Sequence, residues 1–460
     1  MVCATGKVLA QADAKAKAAL QKFLADEQLK YASTGFVLAD ALTGATLYSH
    51  QPNTGLAPAS TQKVITSAAA LGMVGPKYQF ATRVLLGAPV VQGVLQGPLL
   101  VQGSGDPTMG SWRYPSQPDT AFFYQVWQAL RKAGIQQIAG GLVGHNTHFS
   151  VLAIPGSWMY DDIGNYYGAG CWALNWRENQ YDAAYNPSGR QGDTMPTPTL
   201  FPQAGIETFN NYSRVGAAGT GDNTIIYSAP YAKEAYALGS IGKQAKPFTI
   251  AGSVPNGEGL LLQALHQYLT KRGIQIAQLP RPSWQYASTQ TPLPTPGNLL
   301  TEYRSVTLDS VIYWFMQKSI NLYGEAIAKT LAYQKKGFGD TDTGVELMKD
   351  YWAQHGIDRG ALRMQDGSGL SPQNRVTAGA LTAVLLHARK QPWFAAYYQA
   401  LPTINKTKMK SGTIGGVKGY AGYITDKTGR QYAFTFLVNN YSGSPTSLVQ
   451  KMFAVLDAVL

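Results

Sequence analysis

Apolar residues recur at helical spacing near the start of the chain, and residues 10–28, rich in Ala, Lys, Leu and Gln, predict an amphipathic helix. Two short β-prone runs follow at 34–39 and 45–48, and the stretch 40–44 between them carries hairpin chemistry. The other end repeats the arrangement. Residues 420–425 and 431–438 alternate as strands around Asp426-Lys427-Thr428-Gly429, and 446–459 returns to helical period. Two ends that each supply a helix and a hairpin predict one antiparallel sheet covered by helices, with the residues between them inserted into a split domain.

Within that insertion, the stretch from Trp127 to Ile138 echoes the stretch from Leu265 to Ile276. Each reads as a helix closed by a glycine, Gly134 or Gly273, and then a strand, which predicts two similar units. Residues 185–253 between them are dense in Gly, Thr, Asn and short β-prone runs, and the proline-bearing stretch 280–296 reads as a return linker. The expected organisation is therefore α+β. The split outer domain spans 1–75 and 292–460, an inserted α/β domain 76–184 and 254–291, and a nested β-rich piece 185–253.

Composition narrows the class. In 460 residues, 45% are hydrophobic against 14% charged, with 9 Trp, 27 Tyr and 15 Phe, which excludes wholesale disorder. The net charge of +12 favours anionic surroundings. With no basic run or nucleic-acid module, a cell-wall polymer or a membrane surface fits that charge better than nucleic acid does. No stretch approaches the roughly 18 consecutive apolar residues of a spanning helix, and the start has no apolar signal core, so export implies a signal already removed. Cys3 and Cys171 allow at most one internal bridge, and Cys171 is expected as a small buried apolar residue.

Three strings carry chemistry. In Pro58-Ala59-Ser60-Thr61-Gln62-Lys63, leading into an apolar helix over 64–71, Ser60 stands at a helix N-terminus with Lys63 three residues on and on the same face. A serine activated by lysine needs that amine partly deprotonated, so burial and a second cation are expected nearby. Lys318-Ser319-Ile320-Asn321 falls where a helix over 308–317 breaks before another over 322–333, a corner able to aim Ser319 as a proton relay and Asn321 as an amide partner. As a structural reading, both residues also suit a plain N-cap. Lys410-Ser411-Gly412-Thr413 precedes the C-terminal hairpin. There Gly412 lets substrate backbone approach a strand edge, Ser411 and Thr413 can hold a carboxylate, and Lys410 supplies the cation. Two look-alikes, Ser240-Ile241-Gly242-Lys243 and Lys427-Thr428-Gly429, read as a loop and a turn. His145 and His148 have no accompanying carboxylate or thiol cluster, so no metal and no cofactor is expected.

The order Ser-x-x-Lys, Ser-x-Asn, Lys-Ser-Gly resembles that of penicillin-binding proteins. Asp366-Gly367-Ser368-Gly369-Leu370-Ser371, Gly105-Asp106-Pro107-Thr108 and the long insertion resemble the low-molecular-mass class C group, the D-alanyl-D-alanine carboxypeptidase/endopeptidases of peptidase family S13. The resemblance runs over essentially the whole chain. It implies a β-lactamase/transpeptidase-like domain split by two nested domains, an extracytoplasmic location, peptidoglycan stem peptides as substrate and β-lactams as covalent inhibitors. Ser60 is then the nucleophile, Lys63 the base, and Ser319 a relay with Lys410. Asn321 holds the substrate's peptide, Ser411 and Thr413 bind its terminal carboxylate, and the Ser60 and Thr413 N–H groups form the oxyanion hole. Within Trp158-Met159-Tyr160-Asp161-Asp162-Ile163-Gly164-Asn165-Tyr166-Tyr167, the resemblance implies that Asp162 meets a substrate ammonium and Tyr167 packs on its aliphatic stem. This chain departs from the family in Ser411, where Thr is usual, in a short connection before Lys410, and in Pro372, where an Arg is common and Arg375 stands nearby. Two other functions fit the same strings: a β-lactamase or esterase on this framework, disfavoured by the lack of a deacylating Glu motif, and a wall-binding protein without turnover, disfavoured by the intact Ser60, Lys63, Ser319, Asn321 and Lys410.

Overall fold

The two ends of the chain meet in one six-stranded antiparallel sheet, in the order Thr46–His50, Ser33–Asp40, Gln431–Asn439, Val417–Thr425, Thr407–Ile414, Thr403–Ile404. The first long strand pairs with the last along its whole length, from Ser33 opposite Asn439 to Asp40 opposite Tyr432. The structure, a computed structural model, describes residues 15–460. The chain divides into two compact units. One comprises the residues up to Tyr78 with Leu308–Leu331 and Thr341–Leu460, and the other comprises Gln79–Thr307 with Ala332–Asp340.

In the first unit, strand alternation sends Phe36, Leu38, Tyr420, Ile424, Phe434, Phe436 and Val438 to one face. That face is covered by Ala16, Leu20 and Phe23 from a helix over 15–24 and by Leu448, Met452, Val455 and Leu456 from the helix Pro445–Asp457. Phe23 and Phe36 both meet the Phe436 ring edge-on, with centroids 5.0 and 5.2 Å away, an arrangement that aromatic quadrupoles favour. The opposite face packs on the helix Ala378–Arg389, where Thr382 Oγ1 donates to Thr435 Oγ1 (2.9 Å) and Tyr423 Oη donates to the Leu385 carbonyl (2.7 Å). Burial on both faces explains why the run 433–438 holds so few polar residues.

The N-terminal helix expected over 10–28 is described over 15–24, and its residues 10–14 lie outside the described range. It stops early because the Asp26 carboxylate accepts from Gln28 N (3.0 Å) and caps a separate 3-10 turn, Glu27–Leu29. Cys171 is buried as expected; Cys3 lies outside the described residues. Among the described residues, no helix is long and apolar enough to cross a membrane.

In the second unit, the two helix-glycine-strand echoes are neighbours. The helices Ala121–Lys132 and Gly257–Lys271 end before Gly134 (φ +71°) and Gly273 (φ +87°), left-handed positions that glycine occupies without a Cβ penalty. The strands that follow pair in parallel, Gln137 with Gln275 and Ile138 with Ile276. Their core gathers Phe122, Phe123, Val126 and Leu130 with Leu261, Leu262, Leu265 and Leu269. The segment between them holds short strands from Gln180–Tyr185 to Phe248–Ser253, as its composition predicts.

Candidate active site

Ser60 lies in a 3-10 turn, Ala59–Gln62, that runs straight into the helix Lys63–Val74. It therefore sits one turn ahead of the α-helix and not at its first residue. Long-range contacts set this conformation. Ala59 has φ +45°, and Gly369, itself at φ +85°, presses so close that a Cβ there would stand 2.1 Å from the Ala59 carbonyl oxygen. On another side, a Cβ on Gly412 would stand 2.5 Å from the Pro58 carbonyl oxygen and 3.0 Å from Ser60 N. Two glycines distant in sequence thus let a loop and a strand touch the backbone of the serine turn. A small sheet reinforces this: Arg375–Thr377 pairs with Leu362–Arg363 on one side and with Gly55–Leu56, just ahead of the turn, on the other.

Lys63 is fully buried and has three polar partners. Its Nζ lies 3.0 Å from Ser60 Oγ, 2.7 Å from Asn321 Oδ1 and 2.7 Å from the Ser368 carbonyl oxygen. Burial, and then the charge of Lys410, hold its pKa well below the usual lysine range against the opposing pull of Asp366 and Glu325. A neutral amine has two N–H groups and one lone pair. The two carbonyl oxygens, of Asn321 and Ser368, take the two donors, which leaves the lone pair facing the Ser60 hydroxyl.

The loop that supplies the Ser368 carbonyl is organised by two buried carboxyl groups. Asp366 accepts from Gly369 N (2.8 Å), Ser371 N (2.7 Å), Asn374 Nδ2 (3.0 Å) and Gln62 Nε2 (3.0 Å). Glu325, one helical turn after Asn321 and on the same face, accepts from Gly367 N at 3.1 Å. Burial and the neighbouring Asp366 push the Glu325 carboxyl up to about 8. The loop is also pinned by Thr66 Oγ1, which donates to the Gly367 carbonyl (2.7 Å).

Ser319 and Asn321 occupy the expected corner between the helices Leu308–Lys318 and Asn321–Lys336, and Ser319 turns it with φ +58°. Lys410 and Gly412 sit within the strand Thr407–Ile414. Lys410 is only 3% exposed, and burial followed by the charge of Lys418 pushes its amine down to about 7. In this structure its Nζ donates to the Ser411 carbonyl (2.9 Å). Ser411 is half-buried and Thr413 exposed, and Thr413 Oγ1 accepts from Lys418 Nζ (2.8 Å). The short strand Thr403–Ile404 pairs only with residues 407–408, so among the described residues the 410–414 edge carries no strand partner on that side.

Asp162 and Tyr167 lie in the second unit, where their side chains hydrogen-bond to each other. Burial, then Asp161, pushes Asp162 up to about 6. Tyr166 and Tyr167 line a recess of that unit with Arg113 and Asp222. Arg375 is tied to its own loop, donating to the Pro372 and Asn374 carbonyls at 2.6 and 2.7 Å. Among the described residues, no group of three or more His, Cys, Asp or Glu side chains is placed to hold a metal ion. Sequence reasoning passed over Glu325 and Lys418. Glu325 was findable as the residue four after Asn321 on one helix, whereas Lys418 required the strand register.

Comparison with known proteins adds three findings. The model of the D-Ala-D-Ala carboxypeptidase 3 (S13) family matches residues 16–459. A D-alanyl-D-alanine carboxypeptidase of Actinomadura sp. (strain R39) is 26% identical over 471 residues, covering 95% of this chain and 83% of that protein. The crystal structure of penicillin binding protein 4 (dacB) from Haemophilus influenzae superposes with a TM-score of 0.81 at 22% identity, over 95% of this chain and 98% of that one, which establishes likeness of fold.

Proposed function

This chain belongs to the D-Ala-D-Ala carboxypeptidase 3 (S13) family of serine D,D-peptidases, and on that premise we propose that Ser60, Lys63, Ser319, Asn321 and Lys410 hydrolyse the D-alanyl bonds of peptidoglycan stem peptides through an acyl-serine. The observation that carries the assignment is the Lys63 amine, 3.0 Å from Ser60 Oγ with its other two partners both carbonyl oxygens. Ser60 Oγ–H gives its proton to Lys63 Nζ as Oγ bonds to the carbonyl carbon of the penultimate D-alanine. Gly412 brings the strand against Ser60 N, which supports the Ser60 and Thr413 N–H groups as the pair that receives the oxyanion.

The proton then passes to the departing D-alanine nitrogen. Lys410 supplies it through Ser319 by turning from the Ser411 carbonyl, and Lys63 is its source. The C–N bond breaks, and water, deprotonated by the same amine, splits the ester and restores the Ser60 hydroxyl. Asn321 holds the substrate's amide, and the open 410–414 edge takes its backbone as an added strand. Ser411 and Thr413 bind the terminal carboxylate. Asp162 and Tyr167 serve the ammonium and aliphatic stem at the third stem-peptide position. A β-lactam presents the same amide and carboxylate, so penicillin acylates Ser60. The working location is extracytoplasmic, where the +12 charge suits an anionic wall or membrane surface.

Fluorescent penicillin should label the wild type and fail to label Ser60→Ala. Mass spectrometry of digested muropeptides should then show loss of one D-alanine from linear stems, separation of cross-linked stems, or both. Rapid turnover of a chromogenic cephalosporin would reassign the protein as a β-lactamase. A folded wild type that takes no label would make it a wall-binding protein without turnover.

A further inference from the structure

We propose that Lys418 is a specificity-determining residue of this site, pairing directly with the free carboxylate that a substrate or β-lactam carries beside the scissile amide. This rests on the acyl-serine reading and adds to it the cation that the carboxylate end requires. Along the strand Thr407–Ile414, side chains alternate between faces, so Lys410 and Gly412 point to one side and Ser411 and Thr413 to the other. Gly412 is the residue that touches the Ser60 turn, and Lys410 shares its face. Lys410 is also nearly inaccessible, with its Nζ already given to the Ser411 carbonyl, so it is badly placed to neutralise an anion held by the Ser411 and Thr413 hydroxyls.

Lys418 meets that need. It is the cross-strand partner of Thr413, as Tyr420 is of Ser411, and directly opposed residues share a face. Its Nζ lies 2.8 Å from Thr413 Oγ1 and 5.3 Å from the centre of the Tyr420 ring, and the side chain is half-buried, open enough to be reached. Among the described residues, Lys418 forms no ion pair with a carboxylate. One of its three N–H groups is spent on Thr413, and the remaining two stand beside the hydroxyls that the substrate's carboxylate is to meet. Two hydroxyls two residues apart on one strand, with an ammonium across the ladder, make a cradle for a carboxylate and not for an amide or an ester.

The test measures second-order acylation by benzylpenicillin and by its methyl ester for the wild type, Lys418→Met and Lys418→Arg. Loss of a charge-assisted contact should slow acylation of Lys418→Met by the free acid about 10- to 100-fold more than acylation by the ester, which registers only the change passed on through Lys410. Lys418→Arg should recover most of the preference for the acid. With an acyl-D-alanyl-D-alanine substrate, the loss should fall mainly on KM, and the C-terminal amide should be insensitive to the substitution. An equal loss for acid and ester overturns the assignment in favour of a structural role, and no loss for either compound overturns it outright. A wild type acylated by neither compound overturns the acyl-serine reading and this one with it.

Discussion

Lys63 has three polar neighbours, and only the Ser60 hydroxyl among them has a proton to give. Acylation should therefore rise with pH as Lys63 deprotonates, at a pH below that of an ordinary lysine. Lys410 contributes to that depression, so Lys410→Met should move the rising limb to higher pH in addition to slowing the reaction. The second-order rate of penicillin acylation as a function of pH reads both effects, and an unmoved limb would show that burial alone tunes Lys63. Since the two amines repel one another, they release their protons as a coupled pair.

Glu325 offers a stability test at the same scale. Its folded pKa of about 8 lies above the reference value of 4.5, so the folded state keeps a proton that the unfolded chain gives up. Its contribution to stability is therefore complete below the lower value and lost as pH rises to the upper one. Glu325→Gln keeps an oxygen for Gly367 N and removes the titration. The melting temperature of the variant relative to wild type should increase between about pH 5 and pH 8, as thermal melts at several pH values would show. A constant difference would mean that the carboxyl is ionised throughout.

Among the elements, the contact between the Thr407–Ile414 strand and the Ser60 turn leaves no room for a side chain at Gly412. Gly412→Ala places a methyl group against the Pro58 carbonyl and Ser60 N, and the strand must retreat. Misplacement of this order is expected to slow acylation about a hundredfold, with the protein still folded by circular dichroism. The elements were also where the sequence was most informative. Hairpins at 34–48 and 420–438, the helix break at Ser319 and the paired helix-glycine-strand echoes were legible because each depends on local periodicity and turn chemistry. The 3-10 turn at Ser60 was not, because the serine was expected only to stand at the N-terminus of a helix over 64–71, and the positive φ of Ala59 goes with the close approach of Gly369, more than 300 residues away. Lys418 stayed hidden for a related reason: its significance comes from standing opposite Thr413, and register is a property of two strands together.

At the scale of the molecule, the first unit is assembled from three stretches of sequence, and its central sheet joins residues 33–50 to residues 403–439. The closing helix Pro445–Asp457 covers that sheet with Leu448, Met452, Val455 and Leu456. A chain ending at residue 430 lacks both the strand that pairs with Ser33–Asp40 and this cover. It should fail to bind fluorescent penicillin although Ser60, Lys63, Ser319, Asn321 and Lys410 are all present, and a labelled truncation would show that the site assembles without the sheet's middle strand.

The same topology bears on how the protein is made. Ser60 is translated well before the strand that lies against it and the strand that locks the sheet. Until both are made, the serine turn lacks the close approach of Gly412 and Lys63 lacks the neighbouring charge of Lys410. On the proposed mechanism, a nascent chain that has not yet reached these strands should show no acylation by penicillin, and reactivity should begin only when they join the sheet.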